Sequence, residues 1–115
     1  MQTRQAPRHS VSTIGTVRSA RGMEWQVSVD DLSPGGCRID DPGGGLLLGE
    51  LVKLSIAEIG PIVAEVAWRQ SSRVGVEFVR PLSERVTTAL ARDDRETAAA
   101  AFAATRHTTA ARRFV

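Results

Sequence analysis

The sequence is poor in residues that hold metals, form disulfides or cross membranes. Its 115 residues include one cysteine, Cys37, and two histidines, His9 and His107. One thiol cannot form an internal disulfide, and these three side chains do not make the ligand set of a structural zinc site. No apolar run approaches the about 18 residues that span a bilayer, and the first thirteen residues hold no signal-peptide apolar block. We therefore expect a cytoplasmic protein with no membrane span and no metal or other cofactor.

Aromatic residues and lysine are also scarce. Two Trp, three Phe and no Tyr are few for a barrel that binds single-stranded nucleic acid, because such barrels stack bases on aromatic side chains. Fourteen basic residues are Arg and one is Lys, a bias that suits phosphates and guanine edges, although a GC-rich source would also produce it. The net charge of +2 is too small to indicate bulk nucleic-acid binding. We expect no nucleic acid among the partners.

The sequence up to residue 79 repeats the pattern of short strands. Apolar and polar residues alternate in segments separated by Gly, Pro and Asp, which is typical of half-buried strands. These segments are 11–17, 25–29, 37–39, 52–56, 62–69 and 74–78. No helical segment lies between them, so we predict a mainly β fold in which six antiparallel strands form a small barrel or a sandwich. A barrel has the advantage of leaving no exposed strand edge.

The two ends of the chain differ from this pattern. The beginning is polar and basic and is predicted to be a flexible arm, whereas after Pro81 the apolar period becomes helical. Ser83 can cap that helix, on which Val86, Ala89 and Leu90 share one face. We divide the chain into the arm, a barrel with a C-terminal helix, and an Ala- and Arg-rich tail that is helical or disordered: residues 1–10, 11–92 and 93–115.

The alternation fails in the second strand. Trp25, Val27 and Val29 have the parity of core residues, and Asp31 shares it. A lone carboxylate inside a small barrel is costly. The strand is therefore predicted to end, bulge or twist near Asp30 and Asp31.

A turn rich in polar and small residues follows, Asp31-Leu32-Ser33-Pro34-Gly35-Gly36. We expect a positive φ at Gly35, and Gly36 has no side chain to prevent a close approach to its backbone. In the structural interpretation, Asp31 makes an Asx turn and Ser33 bonds nearby amides. In the functional interpretation, the same groups face a ligand.

The functional interpretation depends on a second motif in the arm. Arg4 and Arg8 form an Arg-x-x-x-Arg pair, a spacing that Arg69 and Arg73 repeat, so that the spacing alone is uninformative. The order is informative: an Arg pair, six strands with an Asp-x-Ser-x-x-Gly turn, and a final helix. In this order the chain resembles the PilZ domain family, whose members are receptors for the second messenger cyclic di-GMP.

The resemblance extends over residues 4–90. Residues 4–8 match the family's RxxxR motif, 31–36 match its [D/N]xSxxG motif, and 66–68 with 75–78 look like its fifth and sixth strands. It implies a six-stranded antiparallel split barrel followed by a C-terminal helix. It also implies cyclic di-GMP as ligand, with the residues of the two motifs as its site: Arg4, Arg8, Asp31, Ser33, Gly35 and Gly36. Thr3 replaces a basic or bulky residue of many members, which leaves one or two bound ligands open.

Two further residues are assigned to the periphery of that site. Arg38 has the outward parity and is either part of the phosphate-binding surface or simply solvated. Trp68 has the parity of core residues, which favours core packing, but its place at the end of a strand leaves a position beside the ligand as the alternative. Cys37 is predicted to be a small core residue.

The resemblance predicts a receptor that orders its arm on binding cyclic di-GMP and signals through an unidentified protein partner, with a weak homodimer also allowed. A non-sensing adaptor of the same fold, related to motility or pili, is the alternative. A barrel that binds single-stranded nucleic acid is disfavoured by the few aromatic residues. Neither a catalytic triad nor a carboxylate dyad is apparent, so we expect no enzyme.

Overall fold

The computed structural model describes residues 8–112, and the side chains of residues 8–105. These residues form six antiparallel strands and two helices. The elements are β1 (His9–Arg18), β2 (Glu24–Ser33), β3 (Gly36–Asp40), β4 (Leu51–Ile56), β5 (Ile59–Gln70), β6 (Arg73–Phe78), α1 (Glu84–Ala91) and α2 (Arg95–Arg112). The strands close into a barrel in the order β1-β2-β3-β6-β5-β4. The predicted six-stranded antiparallel barrel with a C-terminal helix is confirmed, and a second helix follows the first.

Strand β1 begins at His9, two residues before the start that the alternation predicts. His9 and Ser10 pair with Leu32 and Asp31 of β2, so the end of the basic segment already belongs to the sheet. The register between β1 and β2 shifts between Ser10 and Thr13. The start of β1 therefore places the end of the Arg-containing segment beside the Asp31 turn.

A β-bulge in β2 keeps both carboxylates out of the core. Val29 and Leu32 are fully buried, although they are three residues apart, and Asp30 and Asp31 between them are half-buried. The register with β3 shifts between Val29 and Asp31, as expected when one strand contains an extra residue. The parity of Asp31 predicted an end, a bulge or a twist near this point, and the structure shows the bulge.

A second bulge, in β5, turns the Trp68 side chain away from the core, where the alternation had placed it. Val66 pairs with Val76 and Trp68 pairs with Gly75, so that Ala67 is the extra residue. The extra residue reverses the parity of the positions after it. Trp68 therefore lies on the outer surface and is 42% exposed. The favoured prediction that Trp68 packs in the core is wrong for this reason.

The loop at residues 41–45 is held by a buried carboxylate. Asp41 is 3% exposed, and its oxygens accept hydrogen bonds from Trp25 Nε1 at 3.2 Å and from the Leu46 amide at 3.1 Å. Arg69 completes the arrangement, with its Nη1 3.2 Å from Asp41 Oδ2 and its Nη2 donating to the Asp41 carbonyl at 2.9 Å. The Arg69 guanidinium thus pairs with a carboxylate that is almost fully buried.

The helices pack against the outside of the barrel. Ser83 accepts a hydrogen bond from the Val86 amide at 3.2 Å, and Val86, Ala89 and Leu90 are buried, which confirms the predicted cap and apolar face of α1. Helix α1 contacts β1 and β2, and α2 contacts α1 and β5. Of the helices in residues 8–112, none is both long and apolar enough to cross a membrane.

Substitution Asp41→Ala is expected to lower the free energy of unfolding by about 3 kcal/mol. It removes the carboxylate that accepts hydrogen bonds from Arg69 Nη1, the Trp25 indole and the Leu46 amide. Urea denaturation followed by circular dichroism measures the change. Asp40→Ala is the matched control, because Asp40 is half-buried and no side chain among residues 8–105 pairs with its carboxylate. Equal effects of the two substitutions would contradict the structural role of Asp41.

Candidate functional site

Five residues from five strands lie directly opposite one another across the outer face of the barrel. The cross-strand pairs run from β1 through β2, β3 and β6 to β5: Ser10 with Asp31, Asp31 with Arg38, Arg38 with Gly75, and Gly75 with Trp68. We call these five residues the outer row. Neighbouring strands are about 4.8 Å apart, so the four steps of the row extend over about 19 Å along the barrel surface.

Arg8 joins the row through an ion pair with Asp31. Its Nη2 lies 2.7 Å from Asp31 Oδ2, a short charge-assisted hydrogen bond. The Arg8 side chain is 67% exposed and that of Asp31 17% exposed. The structure thus brings together one arginine of the first motif and the carboxylate of the second. Arg4, the other arginine of the first motif, lies outside the described residues.

The turn after β2 is tied to the far end of β6 and to the segment before α1. The Pro34 carbonyl accepts from the Leu82 amide and the Gly35 carbonyl accepts from the Phe78 amide, each at 2.8 Å. Ser33 Oγ donates to the Gly36 carbonyl at 3.4 Å, which leaves its lone pairs available as acceptors. The turn is therefore rigid.

Gly35 does not adopt the positive φ that was expected. Pro34 occupies the first central position of the turn, and type I turns keep a negative φ at both central residues. Asp31 does not close the turn as an Asx motif would, because its carboxylate bonds Arg8 across the strands. Both local interpretations of this turn are therefore wrong, the first because of Pro34 and the second because Asp31 pairs with Arg8.

The two motif glycines have different surroundings. A Cβ added at Gly36 would collide with the Val76 carbonyl oxygen of β6, whereas a Cβ at Gly35 would meet nothing within 4 Å. The close approach expected at Gly36 is thus made by the neighbouring strand. Gly35 presents open backbone on the outside of the turn.

Trp68 lies over a bare stretch of backbone. A Cβ at Gly75 would collide with the Trp68 indole, so the ring occupies the space that a side chain would take. Sequence reasoning missed this role of Gly75, although a glycine inside a strand often marks close contact with another group. The result is an exposed aromatic side chain at the β5 end of the outer row.

Asp30 and Arg73 were also missed by sequence reasoning. Arg38 Nε donates to Asp30 Oδ1 at 2.9 Å, and Arg73 Nη1 lies 3.9 Å from Asp30 Oδ2. The hydrogen bond to Asp30 is the main cause that raises the pKa of Arg38 above its usual value. Arg38, Arg73 and Asp30 form a charged cluster beside Asp31.

Cys37 lies beneath this surface and is buried, as predicted. Burial raises the pKa of the thiol, and the charges of Asp31 and Asp30 raise it further. Cys37 therefore remains protonated at neutral pH and is a packing residue, without the thiolate character of a reactive cysteine.

Substitution of the two motif glycines by alanine is expected to have opposite effects on folding. Gly36→Ala should lower the free energy of unfolding by more than about 2 kcal/mol, or prevent folding, because the new Cβ forces β3 away from β6. Gly35→Ala should leave it unchanged or raise it by up to about 1 kcal/mol, because the φ angle and the space both allow a methyl group. Urea denaturation tests both. Similar losses for the two variants would contradict the described turn.

The sequence matches the model of the PilZ domain over residues 2–92, which includes the whole barrel and α1. No curated protein matches it. Two solved structures from Escherichia coli resemble it, the PilZ domain of YcgR with c-di-GMP and YcgR in complex with c-di-GMP. The first is 15% identical, with 99% of this chain and 100% of that chain covered and a TM-score of 0.52. The second is 21% identical, with coverages of 85% and 50% and a TM-score of 0.57.

A third solved structure, the PilZ domain of CeSA from a cellulose synthesizing bacterium, is 14% identical and has a TM-score of 0.55. The similarity covers 75% of this chain and 90% of that chain. At these identities the structures establish the fold. The chain spans about half the length of the larger YcgR chain. The family match extends over most of the sequence and coincides with the barrel described above, and the chain therefore belongs to the PilZ domain family.

Proposed function

We propose that this chain is a receptor for cyclic di-GMP (c-di-GMP) and that the ligand binds on the outer row together with Arg8. The observation that carries the proposal is the 2.7 Å contact between Arg8 and Asp31, which unites the two motifs on one face. The resemblance to YcgR, solved in complex with c-di-GMP, supports the choice of ligand.

The chemistry of this face is complementary to that of the ligand. Cyclic di-GMP has two phosphates, which guanidinium forks bind, and two guanines, whose O6 and N7 atoms also accept an arginine fork. The opposite guanine edge carries N–H donors that the Asp31 carboxylate can accept. The assigned ligand-binding residues are Arg4, Arg8, Asp31, Ser33, Gly35 and Gly36, with Arg38 and Trp68 at the periphery. Gly36 contributes through its backbone, and its lack of a side chain allows β6 to lie close to β3.

Magnitudes indicate that arm and barrel must both contribute. Micromolar binding needs about −8 kcal/mol, and one charge-assisted hydrogen bond contributes about 1.5–3 kcal/mol. Ordering a segment costs about 1 kcal/mol per residue. The two arm arginines therefore cannot account for the affinity alone, and the preformed surface around Asp31 must supply the remainder.

The ion pair between Arg8 and Asp31 is compatible with this role because it is easily exchanged. An exposed pair contributes only about 0–1 kcal/mol, and the Arg8 side chain is largely exposed. A ligand phosphate can replace the Asp31 carboxylate as the partner of Arg8, while Asp31 accepts from guanine. The pair keeps both groups close to the positions that binding requires.

We assign the chain no catalytic activity. We place it in the cytoplasm because its one cysteine, Cys37, forms no internal disulfide, as is usual in a reducing compartment. Its output passes through an unidentified protein partner once the ligand has ordered the arm across the barrel. A nucleic-acid-binding barrel is disfavoured further by the described aromatic side chains, since Trp68 alone among them is exposed. A non-sensing adaptor is the outcome to expect if the ligand does not bind.

Substitutions Arg8→Ala and Asp31→Ala are each expected to weaken c-di-GMP binding at least about ten-fold, because each removes charge-assisted hydrogen bonds to the ligand. Isothermal titration calorimetry at fixed ionic strength measures the change. Arg18→Ala is the matched control, an exposed arginine at the opposite end of β1, and it should retain wild-type affinity. Wild-type affinity in both test variants would refute the site, and no binding by the wild type would refute the receptor function.

Ligand binding is expected to slow amide hydrogen exchange in residues 2–10, because the Arg4–Arg8 segment becomes fixed between the ligand and the barrel. Exchange followed by mass spectrometry, with and without c-di-GMP, measures this change. Peptides from β4, the strand that contributes no residue to the outer row, serve as the internal control. Unchanged protection of residues 2–10 at saturating ligand would contradict the ordering of the arm.

A further inference from the structure

The bulge in β2 places two carboxylates side by side on the outer face, and they have different partners. Asp31 pairs with Arg8, whereas Asp30 pairs with Arg38. Asp30 is outside both sequence motifs and owes its outward position to the bulge between Val29 and Asp31. An unbulged strand would direct consecutive side chains to opposite faces.

The contact between Asp30 and Arg38 uses a particular atom of the guanidinium group. Arg38 Nε donates to Asp30 Oδ1 at 2.9 Å, and the two side chains are 34% and 36% exposed. Among the described residues, the terminal Nη1 and Nη2 groups of Arg38 have no partner. These two groups form the fork that binds a phosphate or the guanine O6/N7 edge with two parallel hydrogen bonds.

Arg73 approaches the same carboxylate from the neighbouring strand. Its Nη1 lies 3.9 Å from Asp30 Oδ2, so one carboxylate lies between two guanidinium groups. This cluster has a net charge of +1, and its Arg38 is the neighbour of Asp31 in the outer row. A long arginine side chain samples many rotamers, and a partner at Nε restricts them without occupying the fork.

We propose that Asp30 is a positioning residue of the ligand-binding face, which holds Arg38 by its Nε so that the terminal fork is available to an anionic group of the ligand. This inference rests on the proposed function and deepens it. It makes Arg38 part of the binding surface and assigns Arg73 a supporting role as the second cation beside Asp30.

A purely structural role for Asp30 predicts a different result. Half-exposed ion pairs stabilise a fold by only about 0–1 kcal/mol, so loss of Asp30 should hardly change the melting temperature. Positioning predicts that binding depends on Asp30 only while Arg38 is present. A double-mutant cycle separates these two cases, because it measures the coupling of the two side chains.

The cycle uses c-di-GMP titrations of the wild type, Asp30→Ala, Arg38→Ala and the double variant, with Asp30→Asn as the conservative variant. Asp30→Ala should weaken binding about five-fold in the wild-type background and less than about two-fold in the Arg38→Ala background. Asp30→Asn keeps an oxygen at the Oδ1 position and should retain most of the affinity. The Arg38 Nε–H resonance should be protected from exchange without ligand and lose that protection in Asp30→Ala.

The outcomes distinguish this inference from the proposed function. If the wild type binds c-di-GMP and Asp30→Ala binds it with the same affinity, the role of Asp30 is overturned and the receptor function is left intact. The same holds if Asp30→Ala weakens binding equally with Arg38 present and with Arg38 replaced. Failure of the wild type to bind c-di-GMP would overturn the receptor function, and the proposed role of Asp30 in binding would fall together with it. Thermal unfolding of all variants establishes that the affinities refer to folded protein.

Discussion

A charged carboxylate is too costly to place inside a barrel of six short strands, and β2 avoids that cost with one extra residue between Val29 and Leu32. The same extra residue that keeps the carboxylates out of the core also creates the candidate site, because it brings Asp30 and Asp31 to the outer face together. Asp31 then pairs with Arg8, the residue before β1, and Asp30 pairs with Arg38 of β3. Core packing and ligand chemistry are thus linked through a single irregularity of the backbone.

The rest of the site depends on how closely neighbouring strands approach. Gly36 admits the β6 backbone, and Gly75 admits the Trp68 indole, so both glycines are explained by contacts within the protein. Of these three glycines, Gly35 alone presents open backbone. The buried Asp41 and its partner Arg69 hold the loop that follows β3, next to the strand ends that carry Asp40 and Gln70. A rigid barrel surface of this kind can be complementary to a ligand before the arm contributes.

Alternation of apolar residues was sufficient to predict the six strands, and the core parity of the charged Asp31 was sufficient to predict an irregularity beside it, though not which of an end, a bulge or a twist. The bulge at Ala67 left no such signal, because the Trp68 side chain is chemically acceptable in a core, and the prediction for Trp68 failed. The pairing of Asp30 with Arg38 depends on the register between two strands, which no local pattern specifies. Motifs therefore indicated the residue types at the site, while long-range pairing determined which of them meet.

A ¹H–¹⁵N NMR titration with c-di-GMP decides whether the outer row and Arg8 form one ligand-binding face. If they do, the largest chemical-shift changes fall on the amides of Asp31, Arg38 and Gly75 and on the Trp68 indole N–H. Changes centred instead on the exposed Val63 and Val79, or confined to the end of β1 near Arg18, would show that the ligand binds elsewhere.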